Sequence, residues 1–207
     1  MKVKVNQQFP DKDPSIYKVP QGACMGRITA IIDKEGVKTE FEGEVKIVNQ
    51  LDFVIETEYR YTNPTDNKEY PKTITQTVTK SWHAKSKMPI IINSILGKSM
   101  SDEEKNEFDI LSLLGTYVNL TVIERISKTG KVRNEIASFS PLFKGQPTFD
   151  CLYEPYVFSF DEEVCPYILQ LALLDATDRR IVSYTKEALK ETKAYTEWVK
   201  KHNGPVV

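Results

Sequence analysis

Histidine and cysteine are scarce in this 207-residue chain, with two of the first and three of the second. His83 and His202 have no cysteine or carboxylate beside them at ligand spacing. Cys24, Cys151 and Cys165 are far apart and form no CxxC pair. Neither a structural metal nor a disulfide scaffold is therefore expected. No apolar run approaches the roughly 20 residues that span a bilayer. Behind Lys2 and Lys4 there is no apolar stretch of the kind a secretory signal needs. The expectation is a cytoplasmic protein with no membrane contact.

Catalytic templates are missing as well. The chain has no GxxxxGK[ST], no GxGxxG and no GxSxG, so neither a phosphate-cradling loop nor a nucleophile elbow is signalled. His83, beside Trp82 and Lys85, has no orienting carboxylate nearby and reads as a polar surface residue. Asp102, Glu103, Glu104 and Glu107 belong to a helix that starts with a cap, where acidic residues suit the helix dipole. Asp161-Glu162-Glu163 reads in the same way, as a helix start before Pro166. These observations point to a protein that binds rather than catalyses, with no cofactor.

What is present is alternation and unevenly placed charge. The net charge is only −1, but residues 59–88 carry 6 basic and 2 acidic side chains, and residues 116–145 carry 5 and 2. Acidic segments lie between and around these two windows, so the mean hides the distribution.

The first strand opens at Val19-Pro20-Gln21-Gly22 and runs to Asp33, with Gly26 allowing a bulge or a bend. Lys34-Glu35-Gly36 reads as a turn, followed by strands from Glu44 to Asn49 and from Asp52 to Asn63. In the second of these, Phe53, Ile55, Thr57, Tyr59 and Tyr61 alternate with Val54, Glu56, Glu58 and Arg60. After the turn at Asn63-Pro64-Thr65-Asp66-Asn67, a strand from Tyr70 to Trp82 puts Ile74, Gln76, Val78, Lys80 and Trp82 on one face.

The period then lengthens. Met88 to Leu96 fits a short helix closed by Gly97, and Ser101-Asp102-Glu103-Glu104 is a capping box that opens a second helix reaching about Phe108. Leu111, Leu113 and Leu114 are expected to pack before Gly115. A hairpin follows, with strands over 116–127 and 131–140 joined at Lys128-Thr129-Gly130.

The resulting order of three strands, helix and two strands is that of an OB-fold, a five-stranded small barrel. The expected architecture is mainly β: an N-terminal arm over 1–18, an OB-like domain over 19–145, and an extension over 146–207 packed on the barrel. Within that extension Tyr167 to Leu174 is apolar, and Ser183 to Lys201 is a helix candidate with Tyr184, Ala188, Tyr195 and Val199 on one face.

OB barrels bind oligonucleotides across their second and third strands and between their 1–2 and 4–5 loops, and both basic windows fall at those places. The candidate phosphate contacts are Arg60, Lys72, Lys80, Lys85, Lys87, Arg125, Lys128, Lys131 and Arg133. Tyr59, Tyr61 and Trp82 are the candidate stacking platforms, with Tyr70 nearby.

At these residues the chain resembles a known family, the OB-fold single-stranded-DNA-binding proteins of phage replication and recombination modules. The resemblance rests on Val19-Pro20-Gln21-Gly22 with Gly26-Arg27-Ile28, on the Lys80–Lys85 segment, and on Phe108-Asp109-Ile110-Leu111-Ser112-Leu113-Leu114-Gly115. It continues through Lys128-Thr129-Gly130-Lys131 and Ile136-Ala137-Ser138-Phe139-Ser140-Pro141-Leu142. It implies sequence-tolerant binding of single-stranded DNA in the host cytoplasm. It also implies contacts to replication or recombination proteins, with a homodimer among the assemblies it allows. Many such proteins end in an acidic tail that recruits partners. This chain ends Lys200-Lys201-His202-Asn203-Gly204-Pro205-Val206-Val207, and recruitment of that kind is not expected of it. The competing expectation is a structural or protein-interaction barrel, an assembly or virion component, motivated by the acidic, aromatic last third.

Overall fold

The computed structural model describes residues 14–41, 43–64, 66–127, 130, 132–159, 161, 163, 165 and 193–201. Most of the expected N-terminal arm, the Tyr167–Leu174 stretch, Tyr184, Ala188, His202, and Lys128, Thr129 and Lys131 of the second hairpin lie outside these residues.

Six strands carry the architecture: β1 (Gly22–Phe41), β2 (Glu44–Thr62), β3 (Glu69–Thr79), β4 (Tyr117–Ile126), β5 (Val132–Pro141) and β6 (Tyr156–Phe158). Between β3 and β4 come α1 (Lys87–Leu96), α2 (Asp102–Glu107) and a 3-10 turn at Ile110–Leu113; α3 (Lys193–Lys201) lies near the C-terminus. The chain is thus mainly β. The first five strands form one antiparallel sheet in the order β3-β2-β1-β4-β5, and β6 runs parallel to β1 at Ala30–Ile32. Among the described residues no helix is long and apolar enough to cross a membrane.

Alternation along the strands decides which side chains enter the main core. Leu51, Phe53 and Ile55 of β2, Ile74 and Val78 of β3, and Val118, Leu120 and Val122 of β4 all meet there. Met88, Ile91, Ile92 and Ile95 of α1 close over them, at the spacing of one helical face. Burying each such side chain contributes about 1.5–3 kcal/mol. Gly97 in the left-handed region ends α1, and the capping box at Ser101 and Glu104 is formed in both directions. Leu113 is buried, but Leu111 is exposed rather than packed.

The expected turn at Lys34-Glu35-Gly36 is instead a register shift inside one long strand, and the two strands expected over Glu44–Asn63 are one. The cause is a buried ion pair. Lys34 Nζ lies 2.7 Å from Asp52 Oδ2, both side chains are 3% exposed, and Thr77 donates to Asp52 Oδ1 at 2.6 Å. A lysine that reads as turn chemistry is consumed within the sheet, so β1 and β2 continue beyond it as a two-stranded ribbon.

Gly26 is not a bulge; the register shift falls between Ile28 and Ala30. Gly26 pairs with Thr57 on one side and Val118 on the other, and a Cβ there would collide with the Ile55 side chain and approach Leu120 to 3.0 Å. Close approach of three strands, rather than bending, is what requires glycine.

A second, smaller core lies on the other face of β1 and β2. Ala30, Ile32 and Val54 are covered by Phe158 of β6, Cys165 and Trp198 of α3. Trp198 lies on the same helix as Tyr195 and Val199, which pack against this cluster.

Candidate nucleic-acid interface

Three of the six basic residues of the first window, Arg60, Lys72 and Lys80, are engaged by the protein itself. Arg60 donates to the carbonyls of Thr57 at 2.7 Å, Tyr59 at 3.2 Å and Asp150 at 2.7 Å. It also lies 3.3 Å from the fully buried Glu56 carboxylate, and its guanidinium sits over the Phe149 ring. Glu56 in turn accepts from the Leu152 and Tyr153 amides at 2.8 and 3.0 Å. Together Arg60 and Glu56 latch residues 149–153 to the sheet. Lys72 donates to the Lys18 carbonyl at 2.9 Å. Lys80 pairs with Asp33 at 2.5 Å, beside a cleft of about 270 Å3 lined by Leu51, Phe108 and Leu111. Lys85, in the loop that leads into α1, and Lys87, the first residue of α1, are exposed.

The three candidate stacking residues are half-buried. Tyr59 packs on the main core, where burial, with Cys24 and Glu58 nearby, raises its hydroxyl pKa. Trp82 meets Phe108 edge-to-face at 6.0 Å. Tyr61 stands between Tyr17, edge-on at 4.9 Å, and Tyr70, stacked at 6.0 Å. The Tyr70 hydroxyl donates to Asp66 at 2.7 Å, which holds the Asp66 carboxyl below its ordinary range.

The second window has a different geometry. Arg125 and Arg133 are directly opposed across the β4–β5 hairpin, next to the opposed pair Ile126 and Val132. All four side chains are exposed. Arg125 Nε lies 2.6 Å from Glu135 Oε2, while Arg133 has no ion pair among the described residues. Gly130, at φ 77°, donates to the Ser127 carbonyl at 2.9 Å and turns the chain between the strands. Lys128 and Lys131, the other two candidates here, lie outside the described residues.

Strand alternation puts Arg125 on the same outward face as Ile123, Thr121 and Asn119. Asn119 and Thr121, with Ser138 and Ser140 opposite them, line an open groove of about 410 Å3 whose other walls come from β1, Glu58 and the segment after β5. The face therefore runs from a polar groove to an arginine pair at the hairpin tip.

One feature was not legible as a site. The β1–β2 ribbon beyond Lys34 exposes Val45 and Ile47, at 68% and 66%, and among the described residues no strand pairs with the outer edge of β2 there. In the sequence, residues 35–48 carry four glutamates and two lysines. The ribbon at the β1–β2 turn is thus acidic, whereas the β4–β5 hairpin is basic.

Among the described residues no cluster of three metal-ligating side chains occurs. In comparisons with known proteins, the chain matches no family model and no curated sequence.

Proposed function

We propose that this protein is an OB-like barrel, closed between β3 and β5, that binds single-stranded DNA in a sequence-tolerant manner and without catalysis. The observation that carries the reading is the Arg125–Arg133 pair. Like charges placed opposite each other on a hairpin repel, and a polyanion that approaches this face relieves the repulsion while releasing its own counterions. The strand order β3-β2-β1-β4-β5, with helices between β3 and β4, supports the barrel.

Of the two places that the charge windows mark, the geometry favours the second, the β4–β5 hairpin. With Arg60, Lys72 and Lys80 engaged internally and the β1–β2 ribbon acidic, phosphate contacts concentrate on the β4–β5 hairpin. Lys85 and Lys87 are a second exposed cationic locus. Support for phage DNA replication or recombination, through contacts with proteins of those processes, is the role this binding would serve.

The test is the anisotropy of a labelled dT oligomer titrated with protein at increasing salt. Binding at low salt that weakens linearly in log–log form is expected. No binding at low salt, or binding indifferent to salt, refutes the proposal.

A second reading, a protein-interaction module, draws on the acidic ribbon with its exposed Val45 and Ile47. An unpaired strand edge with apolar side chains is a template for pairing with another chain. Salt-insensitive self-association without affinity for DNA would favour it.

A further inference from the structure

We infer that the groove beside Phe143 is a base-binding subsite that prefers bases carrying an exocyclic amino group; the inference rests on the single-stranded-DNA reading above. Phe143 is 77% exposed, so its ring is open to a ligand. It is also held in place. Its amide donates to Gln146 Oε1 at 3.1 Å, and the Gln146 amide donates back to its carbonyl at 3.0 Å. Gln146 is locked to Asn119 of β4 by a reciprocal amide pair, at 2.8 and 3.1 Å, and Asn119 also donates to the Pro141 carbonyl at 3.1 Å. The ring is thus presented at the groove by a turn tied to the sheet. Ordering of the turn, the entropic cost that weakens most stacking contacts, is already met.

The groove also has a chemical polarity. Its walls beside Phe143 are hydroxyls and amides: Ser138, Ser140, Thr121 and Asn119. The one charged side chain among the lining residues is Glu58. Glu58 Oε1 accepts from the Met25 amide at 2.9 Å, which fixes the carboxylate, and Oε2 has no partner among the described residues. A carboxylate there repels phosphate, so the backbone of a bound strand runs outside the groove, toward Arg125 and Arg133 on the same face. What the carboxylate accepts is an N–H donor. Cytosine, adenine and guanine each carry an exocyclic amino group, whereas thymine has a carbonyl where cytosine has its amino group, and its one N–H lies between two carbonyl oxygens that a carboxylate repels. A base stacked on Phe143 with its amino group on Glu58 Oε2 satisfies both features of the groove.

The experiment compares labelled dC and dT oligomers of equal length at pH 7.5 on the full chain. The wild type is expected to bind dC more tightly than dT by about tenfold. Glu58→Gln, whose amide can both donate and accept, is expected to erase that difference and to raise affinity for dT. Phe143→Ala is expected to weaken both oligomers by at least about fivefold, and Phe143→Trp to restore them. Phe143 is exposed, so thermal melting of the alanine variant should match the wild type. Salt-sensitive binding with equal affinity for dC and dT, unchanged in Phe143→Ala, overturns the subsite and leaves the DNA-binding reading standing. No binding of either oligomer overturns both.

Discussion

Arg125 stands directly opposite Arg133 across the β4–β5 hairpin, and the carboxylate of Glu135 sits beside Arg125. The pair is therefore electrostatically asymmetric. Arg133→Glu is expected to weaken binding of a dT oligomer more than Arg125→Glu, since Glu135 already offsets Arg125. Each substitution should lower the slope of log affinity against log salt by about 0.7, the share of one phosphate contact on a single strand. Anisotropy titrations at four or five salt concentrations measure both effects.

The sequence marks Arg60 as a phosphate contact, and its engagement with Glu56 and residues 149–153 gives it a different expected phenotype. Arg60→Ala should leave the salt slope unchanged and lower stability. Glu56→Ala should cost about 1–3 kcal/mol by removing the acceptor of two amides. In both variants the 149–153 segment should become cleavable by protease under native conditions, which limited proteolysis with mass spectrometry detects.

The Lys34–Asp52 pair, shielded from water on both sides, predicts a non-additive response. Lys34→Met alone leaves a buried carboxylate without its cation and should cost about 3–5 kcal/mol. The double variant Lys34→Met/Asp52→Leu should recover most of that loss. Urea unfolding of the two single variants and the double variant closes the cycle.

These two ion pairs explain why the sequence was legible in some places and not in others. Periodicity located β3, α1, the capping box at Ser101 and the β4–β5 hairpin, because each is set by local chemistry: alternation at Ile74 and Val78, a helical face at Met88, Ile91, Ile92 and Ile95, and a positive-φ glycine at Gly130. It misplaced the turn at Lys34 because burial of that charge depends on Asp52, eighteen positions later, and on register. For the same reason Arg60 could not be told from a surface cation. Phe143 carries no sequence signal because it lies past β5, outside any strand alternation, and its tie to Asn119 through Gln146 is a tertiary contact. Trp198 shares a helix with Tyr195 and Val199, which the helical pattern did identify.

Cys24 offers a probe of the core that is independent of DNA. Burial, with Glu58 nearby, pushes its thiol up to about 11 from 9.0. The folded protein therefore holds the proton more tightly than the unfolded chain. This contribution to stability is complete below pH 9 and is lost as pH rises from 9 toward 11. At pH 7.5 Cys24 should resist alkylation in the native protein and react fully in denaturant. Mass spectrometry after a timed iodoacetamide pulse shows which occurs.

The central claim is that the outward face of β4 and β5 receives single-stranded DNA. Backbone amide chemical shifts of the labelled protein, followed as a dT oligomer is added, test it most directly. The account predicts that the shifting amides cluster at Asn119, Thr121, Arg125, Arg133, Ser138 and Ser140. Shifts confined to the Val37–Val48 ribbon, or no shifts at low salt, would contradict it.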